Sequence, residues 1–217
     1  MLRLSDLIEV TGSIDGVERI RYTTSHPLDM TDDLIEVYGH VPQLVSQLHL
    51  PVQSGSNSIL TRMKRNYSRE LYIDVIEKLK LVRPNIKVSS DFIVGFPGET
   101  AADFQQTMDL IEEVQFDASF SFIYSARPGT PASKFHDATP LAEKKERLNI
   151  LQNRIDELQT FYSDALAGTI QRCLVTGISR KNIKQLQART ECNRVVNFDF
   201  QNINILGKLV DINITKA

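Results

Sequence analysis

Two stretches of this chain restrict its possible folds more than any other part of the sequence. Leu48–Ser56 and Ser89–Thr100 are apolar runs that end in small and polar residues, and a helical pattern follows each of them. This form is typical of parallel strands whose carboxyl ends carry ligand-binding loops. Strand candidates with helical patterns between them recur at roughly the length of a strand–helix unit. We therefore predict an α/β fold with strands at Arg19–Thr23, Gln47–Val52, Ile86–Val94 and Asp117–Tyr124.

The helices between these strands carry their own start signals. Thr31 precedes two acidic residues, which favour the first turn of a helix because of the helix dipole. Ser68 opens a helix that Pro84 ends, and Thr100 with Asp103 resembles a capping box. These signals predict one helix after each of the first three strands.

The sequence changes character near residue 167. A long helix is predicted over Leu141–Leu166, with Gly168 as its stop. Short β-type runs follow, spaced for a small antiparallel barrel or sheet: Arg172–Thr176, Gln185–Thr190, Arg194–Phe198 and Lys208–Ile214. We expect two domains, 1–167 and 168–217.

Charge is distributed unevenly between these two parts. From Gly168 onward there are eight basic residues against three acidic ones, a net charge of +5, while residues 1–167 carry −7. A basic appendage on an acidic body is typical of a domain that binds a polyanion, although a solvated surface gives the same count.

Composition excludes several other classes. The two cysteines, Cys173 and Cys192, can form neither a disulfide framework nor a four-thiolate metal site, so we expect no metal site. No apolar run approaches the roughly 18–20 residues that cross a bilayer, and the charged amino terminus does not resemble a signal peptide. We expect a cytoplasmic protein without membrane contact.

Candidate binding residues lie where the predicted strands end. Gln53 and Ser54 follow one strand, and Arg65 returns toward the same rim after a short helix, where it could pair with a carboxylate. Asp91 lies inside an apolar run, so it must be paired or face a ligand, and a ribose diol is a natural partner. The alternatives are a solvated cation at Arg65 and a satisfied structural acid at Asp91. For His49, within a strand, a packed and hydrogen-bonded role is favoured over a ligand role.

Five blocks together resemble the MiaB-type tRNA methylthiotransferases, a branch of the radical S-adenosylmethionine (SAM) enzymes. They run through nearly the whole chain in the family's order: Arg19–Pro27, Leu48–Ser56, Ser89–Thr100, Ser121–Ala132 and Arg189–Phe198. The resemblance implies about four of the six strand–helix units of a radical SAM barrel, followed by a small all-β TRAM domain that binds tRNA.

The family adds a methylthio group to C2 of an isopentenylated adenosine next to the tRNA anticodon. Its members use SAM and two 4Fe-4S clusters, one of them held by a CxxxCxxC motif. By position, Gln53, Ser54, Arg65 and Asp91 are expected to bind SAM. The expected RNA-binding residues are the cations of the TRAM-like tail: Arg172, Arg180, Lys181, Lys184, Arg189 and Arg194.

The chain also departs from the family pattern. It contains no CxxxCxxC motif and none of the six family cysteines, and both ends resemble cut ends. The first two barrel strands are missing, which predicts an exposed sheet edge at Arg19–Thr23. We expect no catalytic residue and no activity in this chain alone.

Two alternatives from another class stay open: a non-catalytic tRNA-binding remnant, and one half of a split enzyme that another chain completes. Within the enzyme class, the alternative substrates are a threonylcarbamoyl adenosine and a ribosomal protein.

Overall fold

The computed structural model describes residues 2–23, 26–199 and 203–216, and its first half is built on a parallel sheet. The strands β1 (Gln47–His49), β2 (Lys87–Val94) and β3 (Ala118–Ile123) pair in that order, with both pairs parallel. The helices of this half are α1 (Leu4–Gly12), α2 (Asp32–His40), α3 (Asn57–Arg62), α4 (Arg69–Val82), α5 (Ala101–Val114) and α6 (Leu141–Asp164). This arrangement confirms the predicted α/β class.

The two faces of the parallel sheet differ. Val88, Phe92 and Val94 on β2 are buried in the main core together with apolar residues of the helices. Asp91 is in register with Phe120 on β3, and both lie on the opposite face, where Phe120 is 63% exposed. We call this second side the open face.

All three predicted helices begin as expected, and two of the starts are confirmed at the level of individual hydrogen bonds, whereas Thr31 precedes α2 without a side-chain cap. The Ser68 hydroxyl accepts the amide of Leu71, and Thr100 and Asp103 form a reciprocal capping box. Since a side-chain oxygen here satisfies an amide that lacks an intrahelical partner, the starts of α4 and α5 are fixed locally.

The prediction of a strand at Arg19–Thr23 is wrong in extent. Within this segment, Ile20 alone forms a bridge, a parallel one to Leu44, through amide–carbonyl bonds with Gln43 and Val45. The flanking residues Arg19 and Arg21 instead donate hydrogen bonds to backbone carbonyls in the second half of the chain. Thr24 and Ser25 lie outside the described residues.

The second half forms an antiparallel sheet, as the spacing predicts. The strands β4 (Ile170–Ile178), β5 (Gln185–Arg189), β6 (Val195–Asp199) and β7 (Leu209–Asn213) are arranged in the order β6-β5-β4-β7. This C-terminal sheet has its own small core around Cys173, Val175 and Leu186. Helix α6 ends at Asp164, two residues before the predicted end, and residues 165–169 connect it to β4.

In the part of the chain that the structure describes, no helix combines the length and the hydropathy needed to span a membrane.

Candidate functional site

The carboxyl end of the parallel sheet is shaped by an unusual backbone at Gln53. Its φ of 73° lies in the left-handed region, which costs a non-glycine residue roughly 1–2 kcal/mol. The peptide is held there because the Gln53 amide donates to the Asp91 carbonyl at 2.9 Å, and the Ile93 amide donates to the Gln53 carbonyl at 2.9 Å. Strain of this kind often marks a ligand site. Among the described residues, the Gln53 side-chain amide has no hydrogen-bond partner.

Asp91 lies beside Gln53 on the open face, with its side chain 29% exposed. His49 Nε2 is 3.3 Å from Asp91 Oδ1, and His49 Nδ1 is 3.0 Å from Ser89 Oγ. Among the described residues, His49 is the one side chain paired with this carboxylate, which therefore retains further acceptor capacity. The preference for a hydrogen-bonded His49 over a ligand agrees with this geometry, whereas its pairing with Asp91 could not be predicted from the sequence pattern.

Arg65 reaches the same rim. Lys64, at a φ of 58°, turns the chain after α3, and the Arg65 amide donates to the Leu60 carbonyl at 2.9 Å. Burial raises the pKa of Tyr67 to about 12, and the nearby positive charge of Arg65 opposes that rise. Tyr67 in turn donates its hydroxyl to the Val52 carbonyl, the residue before Gln53. The Arg65 guanidinium has no ion pair or hydrogen bond within the described residues, so it is available to an anion.

Ser54 is placed differently from its three companions. It is 1% exposed, and its hydroxyl lies 3.3 Å from that of Thr107 on α5. The neighbouring Gly55 packs so closely that a Cβ would lie 2.4 Å from the Gln106 carbonyl oxygen. In the structure the Ser54 side chain therefore anchors the loop to α5 rather than facing the open side of the sheet.

The loop after β2 is locked by a buried ion pair that the sequence analysis missed. Arg147 of α6 donates to Glu99 at 2.7 Å, with the two side chains 7% and 1% exposed, and the Gly95 amide donates to the same Glu99 oxygen at 2.8 Å. Burial raises the pKa of Glu99, and these donors oppose the rise. A Cβ on Gly95 would lie 2.6 Å from Lys144, so glycine is required where α6 crosses the loop. The loop is therefore preorganised by contacts that need no ligand.

Tyr124, directly after β3, is a further residue that sequence reasoning did not single out. Its hydroxyl is buried without a hydrogen-bond partner in the described part of the chain, and its ring packs edge-on against Phe96 at 4.9 Å. Its amide donates to the Val94 carbonyl at 2.9 Å, so this unmet donor lies at the carboxyl end of the sheet, where it is suited to a polar ligand atom.

The six tail cations predicted to bind RNA divide into two sets. Arg180, Lys181 and Lys184 lie in the turn between β4 and β5; all three are exposed, and none has a side-chain partner in the described ranges. We call these three the hairpin cations. They form a local positive surface that is free to meet a polyanion.

The other three cations form contacts within the chain, and these contacts are most extensive at Arg194. Its guanidinium forms two parallel bonds to Asp117, at 2.7 and 3.0 Å, and donates to the Ser163 hydroxyl at 2.9 Å. Arg172 pairs with Glu18 at 3.0 Å, and Arg189 bonds within its own turn to the carbonyl of Asn193 at 3.1 Å. The charge count could not separate the two sets because it contains no information about partners.

Neither cysteine is placed to hold a cluster. Cys173 is fully buried in the C-terminal sheet, where burial raises the pKa of its thiol, and Cys192 lies beside Thr190 at 3.2 Å. Across residues 2–23, 26–199 and 203–216, no three His, Cys, Asp or Glu side chains are grouped as metal ligands. The donor set present therefore does not fit a 4Fe-4S cluster, which takes three or four thiolates.

The comparisons with known proteins first establish the class. The family model described as the radical SAM superfamily matches residues 2–111, and the TRAM domain model matches residues 164–217. The chain thus belongs to the radical SAM superfamily and carries a TRAM domain on the C-terminal sheet.

The chain is also similar to individual proteins of named function. The chain is 58% identical over 211 residues to the tRNA-2-methylthio-N(6)-dimethylallyladenosine synthase of Haemophilus ducreyi. The aligned region covers 97% of the chain and 44% of that relative. It is 55% identical to the synthase of the same name from Hahella chejuensis, over 99% of the chain and 48% of the relative. The chain spans slightly less than half the length of these relatives.

A solved structure of coproporphyrinogen III oxidase from Escherichia coli, titled a radical SAM enzyme, aligns with 76% of the chain at 18% identity and a TM-score of 0.49.

Proposed function

We propose that this chain is part of a tRNA methylthiotransferase, in which it contributes a SAM-binding sheet edge and a tRNA-binding TRAM domain. The observation that carries the proposal is the group of unmet polar atoms at the carboxyl end of the sheet, in a chain 55–58% identical to synthases of this kind. The reaction proposed for the whole protein is methylthiolation at C2 of an isopentenylated adenosine beside the anticodon. The division into 1–167 and 168–217 is part of the same proposal, and we place its action in the cytoplasm, where tRNA is modified.

The residues at the sheet edge fit the chemistry of SAM. The partly exposed carboxylate of Asp91 is suited to accept hydrogen bonds from the ribose hydroxyls. Arg65 is suited to pair with the carboxylate of the methionine part, because a guanidinium can bind it through two parallel bonds. The Gln53 amide and the Tyr124 hydroxyl can each bond a further polar atom. When bound, SAM supplies the methyl group and the reactive sulfonium of this chemistry.

Catalysis by this chain alone is not part of the proposal. The donor set described above does not fit a 4Fe-4S cluster, so no step of the reaction is assigned to residues of this chain. Its own residues bind and orient, and the partner proposed for them is a cluster-bearing portion that these residues do not include.

Binding of tRNA is assigned to the hairpin cations. Exposed lysines and arginines contact phosphates, and each neutralised phosphate makes the affinity more sensitive to salt. Three such contacts are few, so we expect weak binding with a modest salt dependence. A threonylcarbamoyl adenosine or a ribosomal protein would be a different substrate of the same chemistry.

The test is calorimetry of the purified chain with S-adenosylhomocysteine, a SAM analogue whose binding requires no cluster reduction. We expect binding that Asp91→Asn and Arg65→Ala each weaken at least about tenfold, since each removes a charge-assisted contact. Lys78→Ala, which changes an exposed cation on α4, is the control. Absence of binding to the wild-type chain contradicts the proposed SAM site, and tRNA binding without it favours an RNA-binding remnant.

A further inference from the structure

We infer that Asp117 and Arg194 are positioning residues that fix the TRAM domain on the radical SAM part and so hold the hairpin cations in one orientation toward RNA. The RNA part of this inference rests on the proposed function. The orientation part rests only on contacts between the two halves of the chain.

Asp117 is anchored in the radical SAM half of the chain. It directly precedes β3, its amide donates to the Val88 carbonyl at 2.8 Å, and its side chain is 8% exposed. Arg194 meets it from the start of β6 with a side chain that is 15% exposed. Burial lowers the pKa of Arg194, but its bonds to Asp117 outweigh this and leave the pKa raised. The guanidinium therefore stays charged and paired in this position.

The donors of Arg194 are already used. Nη1 and Nη2 bond the Asp117 carboxylate, and Nε bonds the Ser163 hydroxyl on α6. The remaining two of its five N–H donors are within reach of Cys192 Sγ at 3.2 Å and the Gln159 carbonyl at 3.4 Å. A phosphate would have to displace a carboxylate from these bonds while lying next to its negative charge. Because of this competition, a direct phosphate contact by Arg194 is unfavourable.

A second group of contacts lies at the same joint, and its arginines donate to neutral carbonyls, which form weaker bonds than a carboxylate does. Arg19 donates to the carbonyls of Arg172 and Arg189, at 2.8 and 3.2 Å, from the bridge segment of the first half. Arg21 donates to the Glu191 carbonyl at 2.6 Å, and the Glu191 side chain accepts the Ser46 amide at 2.8 Å. The joint is therefore held by directed hydrogen bonds, although a cavity of about 730 Å³ remains beside it.

Strand β5 connects the joint to the turn that contains the hairpin cations. The hairpin cations immediately precede β5, and the turn from Thr190 to Arg194 immediately follows it. That turn is itself rigid, because the Thr190 amide donates to the Arg194 carbonyl at 3.0 Å and the Arg194 amide donates to the Thr190 hydroxyl at 2.9 Å. Five residues of strand span only about 17 Å, so a change at the joint moves the cations with it. Without such a joint, relative motion of two domains is the default.

The experiment measures affinity for a transcribed tRNA with adenosine beside the anticodon at several salt concentrations. We expect Asp117→Asn and Arg194→Lys to weaken binding by a similar factor, about tenfold, with an unchanged slope of log K against log salt. The double variant should lose no more than either single variant, because both remove the same restraint. Lys181→Ala is the contrasting control: the slope of log K against log salt should become shallower by about 0.9, because one phosphate contact is lost.

A direct RNA contact predicts a different pattern and would overturn the inference. Arg194→Lys would then keep most of the affinity, since the charge remains, and Asp117→Asn would strengthen binding by removing a negative charge.

Small-angle X-ray scattering of the free chain supplies a readout that needs no RNA. We expect a larger radius of gyration in Asp117→Asn and Arg194→Lys than in the wild type or Lys181→Ala. Unchanged scattering in both variants overturns the inference whatever the RNA result. Changed scattering in a chain without salt-dependent tRNA binding contradicts the proposed function and leaves the orienting role in place.

Discussion

The two ends of the parallel sheet use polar residues in opposite ways. At the amino end, Asp117 is paired with Arg194, and Ser46 donates to Glu191, so the polar groups are satisfied by the TRAM domain. Toward the carboxyl end, Gln53, Asp91 and Arg65 retain bonding capacity, although hydrogen bonds within the chain hold the backbone at each of them. The difference teaches that spare hydrogen-bonding capacity, rather than polarity, distinguishes a binding edge from a structural one. In β/α barrels, too, the carboxyl ends of the strands carry the binding site and the amino ends contribute to stability.

The rigidity of the carboxyl end depends most on the Glu99–Arg147 pair. Glu99→Ala leaves the buried Arg147 guanidinium without its main partner, and we expect a loss of about 3–5 kcal/mol in the free energy of unfolding. Urea denaturation followed by circular dichroism measures this. Glu112→Ala breaks the exposed pair with Arg154 between α5 and α6 and is the matched control, expected to cost about 0–1 kcal/mol. Equal losses would contradict the scaffold role of Glu99.

The next largest effect on stability is expected at Gly55, where the loop after β1 packs closely on α5. Gly55→Ala places a methyl group against the backbone of Gln106 and Thr107, so we expect about 1–3 kcal/mol of destabilisation. Gly177→Ala, where nothing lies within 4 Å of the added carbon, should change stability far less. Thermal unfolding of the two variants decides the point. A stable Gly55→Ala would mean that the loop does not need this packing.

Most of the fold was predictable because it follows local rules. The alternation of apolar runs and helical patterns identified β1 to β3, and capping residues such as Ser68 and Thr100 fixed two helix starts. The segment around Ile20 was predicted as a strand because it has the composition of one, but pairing depends on a neighbouring strand, which a local pattern does not contain.

The site was predictable only in part. Gln53 stood out because it follows an apolar run, and Asp91 because it lies inside one; the structure brings them together, with the Gln53 amide bonded to the Asp91 carbonyl. The contacts of Arg194 could not be predicted, because its partner, Asp117, is 77 residues away in the sequence. The same distance in sequence hid the role of Glu99, whose partner lies on α6.

Acid sensitivity provides a smaller test of the carboxyl end. Burial raises the pKa of Asp103, but bonds from Ser56 and Thr100 outweigh it, so the folded-state pKa lies below the usual value. The stabilisation is therefore complete above the unfolded pKa of about 3.9 and is lost as the pH falls through the folded pKa. We expect Asp103→Asn to flatten the decline of stability below about pH 4, as measured by urea titrations across pH. A decline identical to that of the wild type would contradict this linkage.

The hairpin cations should contribute least to stability. Because Lys181 is exposed and unpaired within the described residues, Lys181→Ala should change the free energy of unfolding by less than about 0.5 kcal/mol. Chemical denaturation measures this. A larger loss would show that the hairpin cations stabilise the fold, as Arg194 does at the joint. It would remove the contrast between the two sets of cations.

The contrast between the two ends is tested most directly by one matched pair of variants. Asp91→Asn and Asp117→Asn make the same chemical change at opposite ends of the sheet, and each is measured for its free energy of unfolding and for its affinity toward S-adenosylhomocysteine. We expect Asp91→Asn to lose at least about tenfold in affinity with little change in stability, because it removes a ligand contact. Asp117→Asn should lose stability and keep its affinity. The reverse result, or equal effects of both variants on both quantities, would contradict the assignment of binding to one end and structure to the other.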